Sequence, residues 1–92
     1  MSPAREIRDF IVDTFLYGQD DNFGDDASFL EKGIIDSTGV LELVTFVEET
    51  FKISVKDREL IPDNFDSLNK LSAFVTQKIQ TADLHYAAPH QV

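Results

Sequence analysis

The sequence predicts a single all-α domain, a four-helix bundle made of three long helices and one short helix. Three segments place apolar residues at the spacing of a helix, and each follows a side chain that commonly caps a helix. No stretch of useful length alternates apolar and polar residues, as a half-buried strand would. The 92 residues suffice for one small domain, which we place at 1–82, followed by a flexible tail at 83–92.

The first helix is expected at about residues 3–17. Ser2 supplies a capping hydroxyl, and Pro3 suits the first helical position, where a backbone N–H is not needed. Gly18 is a suitable residue for ending the helix. Apolar residues recur at helical spacing and should face the core: Ile7, Phe10, Ile11 and Phe15.

A long polar connection, residues 19–36, follows this helix and is rich in turn-forming residues. Loops of this length inside a compact domain are usually functional or packed. We therefore expect its apolar side chains to lie against the helices: Phe29, Leu30, Ile34 and Ile35.

Asp36 is a strong N-cap and predicts a second helix from Ser37 to about Phe51. One apolar stripe of this helix should face the core: Val40, Leu43, Val44, Val47 and Phe51. The opposite face and the edge beside Ser37 carry the remaining side chains of interest: Leu41, Glu42, Thr45, Glu48 and Glu49.

Two further helical segments are expected beyond residue 51. Asp57–Leu60 fits a single helical turn, which Pro62 prevents from continuing. Asp66 or Ser67 then caps a last long helix. Its inward residues should be Leu68, Leu71, Phe74, Val75 and Ile79.

The chain is strongly acidic: 8 Lys and Arg residues against 17 Asp and Glu residues give a net charge of −9. This balance disfavours nucleic acid and anionic membranes as partners. It allows two interpretations: the charge keeps the protein in solution, or it attracts basic surfaces of partner proteins.

Other composition features exclude whole classes of function. The chain has no Cys, so a disulfide framework, a thiolate nucleophile and a Cys-based zinc site are excluded. It has no run of about 18 apolar residues and no basic region followed by an apolar block at its N-terminus. The expected location is the cytoplasm, without membrane insertion.

The dipeptide Asp36-Ser37 carries the chemistry of the sequence. Ser37 at the first helical position has an outward side chain, and a phosphodiester on its hydroxyl would lie at the positive end of the helix dipole. Asp36 both caps the helix and places a carboxylate beside that hydroxyl. By itself, however, such a dipeptide is also an ordinary helix start.

The residues around this dipeptide resemble the acyl carrier protein family. The similarity lies in Asp36-Ser37 itself, in the Glu-Leu-Val pattern at 42–44 and in the Glu-Glu-x-Phe helix end at 48–51. Residues 55–68 resemble the short third helix of the family and the entry to the fourth. The resemblance covers about residues 3–80, which is nearly the whole domain.

This resemblance implies a carrier protein with no catalytic residue and no metal site of its own. Ser37 would bear 4′-phosphopantetheine from coenzyme A, cargo would be held as a thioester, and Asp36 would help to position the magnesium of the phosphopantetheinyl transferase. The other partners implied are acyl-loading and acyl-transferring enzymes with basic docking surfaces, and the protein would act as a monomer. These enzymes would contact the second helix at Leu41, Glu42, Thr45, Glu48 and Glu49.

Some positions depart from the usual family pattern. Thr38 follows the serine, and Thr45 lies in the same helix, at positions where larger apolar residues are common. Gly39 lowers helix propensity by up to about 1 kcal/mol relative to Ala. Gly33 lies one residue further from Asp36 than in carriers of fatty-acid synthesis. The Gly-Ile-Ile-Asp-Ser-Thr-Gly form at 33–39 more closely resembles stand-alone carriers of specialised pathways, including aminoacyl carriers of the D-alanyl type. An aminoacyl carrier therefore stands as an alternative to an acyl carrier, and an unmodified helical adaptor with the same fold stands as another.

Two other patterns carry little weight. Asp20, Asn22 and Glu31 fit three positions of a calcium-binding loop, but Gly24 replaces a ligand and Asp25 replaces the required glycine. Both histidines, His85 and His90, lie in the expected tail, where nothing holds them against Ser37 as a hydrolase would require.

Overall fold

The computed structural model describes residues 3–19 and 23–87, with only the backbone for 82–87. Four α-helices make up this part of the chain: α1 (Pro3–Phe15), α2 (Ser37–Phe51), α3 (Pro62–Phe65) and α4 (Leu68–Ala87). Helix α1 packs against α2 and α4, and α4 also packs against α2 and α3. No strand occurs in the described ranges, so the predicted all-α bundle is confirmed.

Helix α1 ends at Phe15, two residues before the predicted end. The cause is a change of backbone conformation, because Tyr17 and Gly18 both have positive φ angles, 54° and 82°. The Gly18 N–H donates to the Val12 carbonyl at 2.9 Å, which satisfies an oxygen in the last turn. Gly18 therefore ends the helix as expected, whereas the predicted cap, Ser2, lies outside the described residues.

The connection between α1 and α2 packs on the bundle, with Phe29, Ile34 and Ile35 buried as predicted. Leu30 was expected to pack with them, but it is 45% exposed. Its neighbour Phe29 occupies the inward position, and the chain turns at residues 30–33, which directs Leu30 outward.

One hydrophobic core joins the helices and the connection. Eight residues of the predicted apolar stripes are buried: Ile7, Ile11, Leu43, Val47, Leu68, Leu71, Phe74 and Val75. Others of the predicted stripes are only partly buried at its border: Phe10, Phe15, Val40, Val44, Phe51 and Ile79. Three buried residues were not predicted because they lie outside the helical stripes: Phe23, Ile53 and Phe65.

The expected helical turn after α2 is a short 3₁₀ turn at Asp57–Glu59. Pro62 both prevents this turn from continuing and occupies the first position of α3. The Lys56 N–H donates to Glu59 Oε1 at 2.9 Å, and Lys78 Nζ lies 3.1 Å from the same oxygen. The Lys56 N–H and, after it, the Lys78 ammonium hold the pKa of the Glu59 carboxyl below its ordinary value, although partial burial opposes them.

Helix α4 is capped by Ser67, which settles the choice that the sequence left open. The buried Ser67 Oγ accepts from the Lys70 N–H at 3.1 Å. At its other end the backbone remains helical to Ala87, beyond the boundary at residue 82 that the sequence predicts. Residues 68–88 contain neither Gly nor Pro, so nothing in the local sequence ends the helix earlier. The remainder of the predicted tail, 88–92, lies outside the described residues.

Candidate functional site

The start of α2 has the geometry predicted for Asp36 and Ser37. Asp36 is extended (φ −95°, ψ 179°), and its Oδ1 accepts from the Gly39 N–H at 2.7 Å. Its carbonyl oxygen accepts from the Val40 N–H at 3.1 Å. Ser37 is exposed at the first helical position, and its Oγ makes no hydrogen bond with the described residues. The hydroxyl is therefore accessible at a capped helix end.

Gly39 explains why this helix start contains a residue of low helix propensity. A Cβ atom at this position would lie 2.8 Å from Phe15 Cε1 and 2.9 Å from Ile35 Cγ2. Ordinary carbon contacts are about 3.5–4.0 Å. The missing side chain lets α1 and the end of the connection approach the helix start closely. Gly39 thus fixes where Asp36 and Ser37 lie relative to the core.

An apolar cleft of about 210 Å³ lies beside Ser37. Ser37 and Val40 form its α2 side, and the exposed Leu30 and Ile61 form part of its surface. The other residues that line it are Phe29, Leu60, Pro62, Phe65 and Asp66. The cleft brings together the connection, α2 and α3, which are distant in sequence. A group attached to Ser37 would therefore have an apolar surface next to it.

The comparison with curated proteins identifies a relative of this chain. The chain is 31% identical over 65 residues to the Probable acyl carrier protein PigG of Serratia sp. (strain ATCC 39006), a match that spans 71% of this chain and 75% of that protein. The chain belongs to the acyl carrier protein family. A scan against protein-family models finds no match.

Four of the predicted partner-binding residues of this acyl carrier protein lie on the surface of α2. Leu41 is 60% exposed, and Glu42 and Glu49 are exposed without an ion pair to any described residue. Thr45 is also exposed, and its Oγ1 donates to the Leu41 carbonyl at 3.1 Å. These side chains together form an acidic surface with one apolar residue on the outer face of the helix.

Glu48 differs from the other predicted partner-binding residues because its carboxylate accepts a hydrogen bond from the backbone of another segment. Its Oε2 accepts from the Val55 N–H at 2.8 Å, and the residue is half-buried. This bond joins α2 to the segment that leads to α3. Sequence periodicity places Glu48 at the edge of α2 but does not reveal a backbone partner seven residues later.

The other candidate groups from the sequence form no site in the described part of the acyl carrier protein. Asp20 and Asn22 of the calcium-loop pattern lie outside it, and Asp25 contacts Arg8 at 3.3 Å. No group of three or more potential metal ligands occurs among residues 3–19 and 23–87. The side chain of His85 and the whole of His90 lie outside the described parts. No helix in the described ranges is long and apolar enough to cross a membrane.

Several apolar residues of the cleft were not connected with Ser37 from the sequence, among them Leu30, Leu60, Ile61 and Phe65. The sequence feature that could have pointed to them is the presence of apolar side chains in otherwise polar segments, close to Gly33 or to Pro62. Only the tertiary structure places these segments around one cleft.

Proposed function

We propose that this protein carries acyl groups as thioesters on a 4′-phosphopantetheine arm attached to Ser37. One observation carries the proposal: Ser37 is exposed at a capped helix start and is one of the residues that line an apolar cleft. Membership of the acyl carrier protein family supports it, because carriers of this family use such an arm.

The helix start fits the phosphodiester that would join the arm to Ser37. The backbone N–H groups of Ser37 and Thr38 have no acceptor among the described residues. A phosphodiester on Ser37 is an anion, and it would lie at the positive end of the α2 dipole beside these donors. The attachment reaction would join Ser37 Oγ to the β-phosphorus of coenzyme A, with adenosine 3′,5′-bisphosphate as the leaving group and a base of the transferase taking the hydroxyl proton.

Asp36 can serve both the helix and the modifying enzyme. Oδ1 accepts from the Gly39 N–H, whereas Oδ2 has no hydrogen-bond partner among the described residues. We propose that Oδ2 helps to position the magnesium ion of the phosphopantetheinyl transferase, since carboxylate oxygens are preferred magnesium ligands. The carrier itself would need no metal.

The cleft favours small apolar acyl cargo over an aminoacyl cargo. A cavity of about 150 Å³ can hold benzene, so a cleft of about 210 Å³ has room for a ring or short chain of similar size. A charged amine would need a carboxylate partner in the cleft. Asp66, the lining residue with a carboxylate, has both oxygens engaged by Ser28 and Leu30.

The outer face of α2 is the surface we assign to partner enzymes. We propose that the phosphopantetheinyl transferase and the acyl-loading and acyl-transferring enzymes approach it with basic surfaces, contacting Leu41, Glu42, Thr45 and Glu49, with Glu48 at the edge. Exposed charges of this kind mainly raise the rate of association. The protein would act as a monomer in the cytoplasm.

Mass spectrometry after co-expression with a phosphopantetheinyl transferase of broad specificity tests the proposal. We expect one phosphopantetheinyl group on the wild type, none on Ser37→Ala, and one on the control Thr38→Val, which removes the adjacent exposed hydroxyl. An unmodified wild type would instead support the adaptor alternative. Modification of Ser37→Ala would show that the attachment residue is wrong.

A further inference from the structure

We propose that Asp66 is a positioning residue for the group carried at Ser37, because its carboxylate fixes one wall of the cleft. This inference rests on the proposed function, because it concerns a group carried at Ser37. The contacts of Asp66 themselves do not depend on that function. Asp66 lies at the end of α3 and lines the cleft together with Phe29 and Leu30 of the connection.

Both oxygens of the Asp66 carboxylate accept hydrogen bonds from the connection. Oδ2 accepts from the Ser28 hydroxyl, and Oδ1 accepts from the Leu30 N–H at 3.0 Å. Ser28 Oγ in turn accepts from the Glu31 N–H at 3.1 Å. A single side chain thereby orients three residues around the turn that carries Leu30, although Leu30 and Asp66 are 36 positions apart in sequence. Hydrogen bonds to an ionised acceptor are stronger than those between neutral groups, so this carboxylate is a firm anchor.

The Asp66 carboxylate makes no further hydrogen bond or ion pair with the described residues. Sequence alone allows Asp66 to cap α4, but Ser67 Oγ performs that function. The Asp66 N–H donates to the Pro62 carbonyl at 2.9 Å, so the main chain of Asp66 is held independently of its side chain. Both side-chain hydrogen bonds that Asp66 makes with the described residues are directed at the connection.

Burial alone does not hold the Leu30 side of the wall. Phe29 is 2% exposed and its N–H donates to the Asp66 carbonyl at 3.0 Å, contacts that survive loss of the carboxylate. Leu30 is 45% exposed, so few apolar contacts fix it. Backbone hydrogen bonds hold the ends of the turn, because the Lys32 N–H donates to the Ser28 carbonyl at 3.0 Å and the Ile34 N–H donates to the Phe29 carbonyl at 2.9 Å. Removing the carboxylate should therefore free Leu30 itself while the core remains folded. The cleft would lose its defined width beside Ser37.

The test places a fluorescent group at position 37 without any transferase. Because the chain has no Cys, Ser37→Cys creates a unique thiol that can be labelled with an environment-sensitive maleimide dye. Into this labelled parent we introduce Asp66→Ala, Ser28→Ala and the control Asp63→Ala. Asp63 is an exposed carboxylate in α3 whose side chain makes no hydrogen bond with the described residues. The control therefore removes one negative charge from α3 or its end, as Asp66→Ala does.

We expect blue-shifted emission in the parent, since the dye rests against the cleft, and the same emission in Asp63→Ala. Asp66→Ala should shift the emission most of the way towards that of the dye in water, and Ser28→Ala should shift it partly. Far-UV circular dichroism should stay unchanged. If Asp66→Ala does not fold, Asp66→Asn replaces it. Because Asn keeps an acceptor for the Leu30 N–H but not the negative charge, we expect the emission to shift only partly towards that of the dye in water.

Two results would overturn the inference: parent-like emission in the folded Asp66 variant, or water-like emission already in the parent. Neither result depends on phosphopantetheine. A wild-type protein that no transferase modifies would therefore refute the proposed function while leaving the dye measurement interpretable. Conversely, normal modification of Ser37 combined with an unaffected dye would refute only the role of Asp66.

Discussion

Gly39→Ala tests the packing at the start of α2, because helix propensity and tertiary structure predict opposite signs. Replacing Gly by Ala inside a helix ordinarily stabilises by about 1 kcal/mol. Here the new Cβ would lie 2.8 Å from Phe15 Cε1 and 2.9 Å from Ile35 Cγ2, closer than real Cβ contacts. Ile35 is 1% exposed, and the Phe15 ring packs edge-on against Phe10 with a centroid distance of 6.0 Å, so neither can move freely.

Overpacking of this kind costs about 1–3 kcal/mol, which equals or exceeds the gain in propensity. We expect a net loss of up to about 2 kcal/mol, and for a domain of this size each kcal/mol lowers Tm by about 4–8 °C. Thermal unfolding followed by circular dichroism measures this. The movement of side chains that the new Cβ forces should also displace the Asp36 cap. Modification of Ser37 should therefore become slower.

Gly24→Ala provides a matched control for this measurement. Gly24 has open space where a Cβ atom would lie and no positive φ angle, so its substitution should be neutral or stabilise by about 0.4–1 kcal/mol. If Gly39→Ala melts above the wild-type temperature, as Gly24→Ala should, the close approach between α1 and α2 is not a constraint. The glycine would then need another explanation.

Three further predictions concern acidic side chains. Glu48→Gln keeps an acceptor for the Val55 N–H but removes its charge, so it should destabilise by about 1 kcal/mol, whereas the exposed Glu49→Gln should change stability by less than about 0.5 kcal/mol in the same denaturant titration. Because the pKa of Glu59 is lowered in the folded protein, its charge stabilises above pH 4.5 and this contribution is lost as the pH falls further. The Tm difference between wild type and Glu59→Gln should therefore shrink in acid. Glu42→Lys should slow loading by the cognate enzyme, with a defect that decreases as salt rises.

Each of these predictions has a clear contrary result. Equal stability losses at the two neighbouring glutamates of α2 would mean that the Val55 contact contributes nothing. A Tm difference that grows in acid would reverse the sign argued for Glu59. A loading rate for Glu42→Lys equal to wild type at low salt would remove the outer face of α2 from the recognition surface.

Much of the fold was predictable because its signals are local. The start and end of α2 and the stop at Gly18 follow from caps and periodicity within about one helical turn. The central core residues follow from the same periodicity. The prediction for Leu30 was wrong because an isolated apolar residue in a loop has no neighbouring pattern that shows its direction.

The sequence by itself determined the all-α class, the capped helix at Asp36 and the exposed hydroxyl of Ser37, since each depends on residues no more than four positions apart. Three features are explained only by the tertiary structure: the need for glycine at position 39, the contact of Glu48 with Val55, and the capping of α4 by Ser67 instead of Asp66. In each case the deciding partner lies far along the chain or on another element, where no spacing rule applies. The cleft beside Ser37 exists for the same reason: three separate segments must pack together before its walls meet.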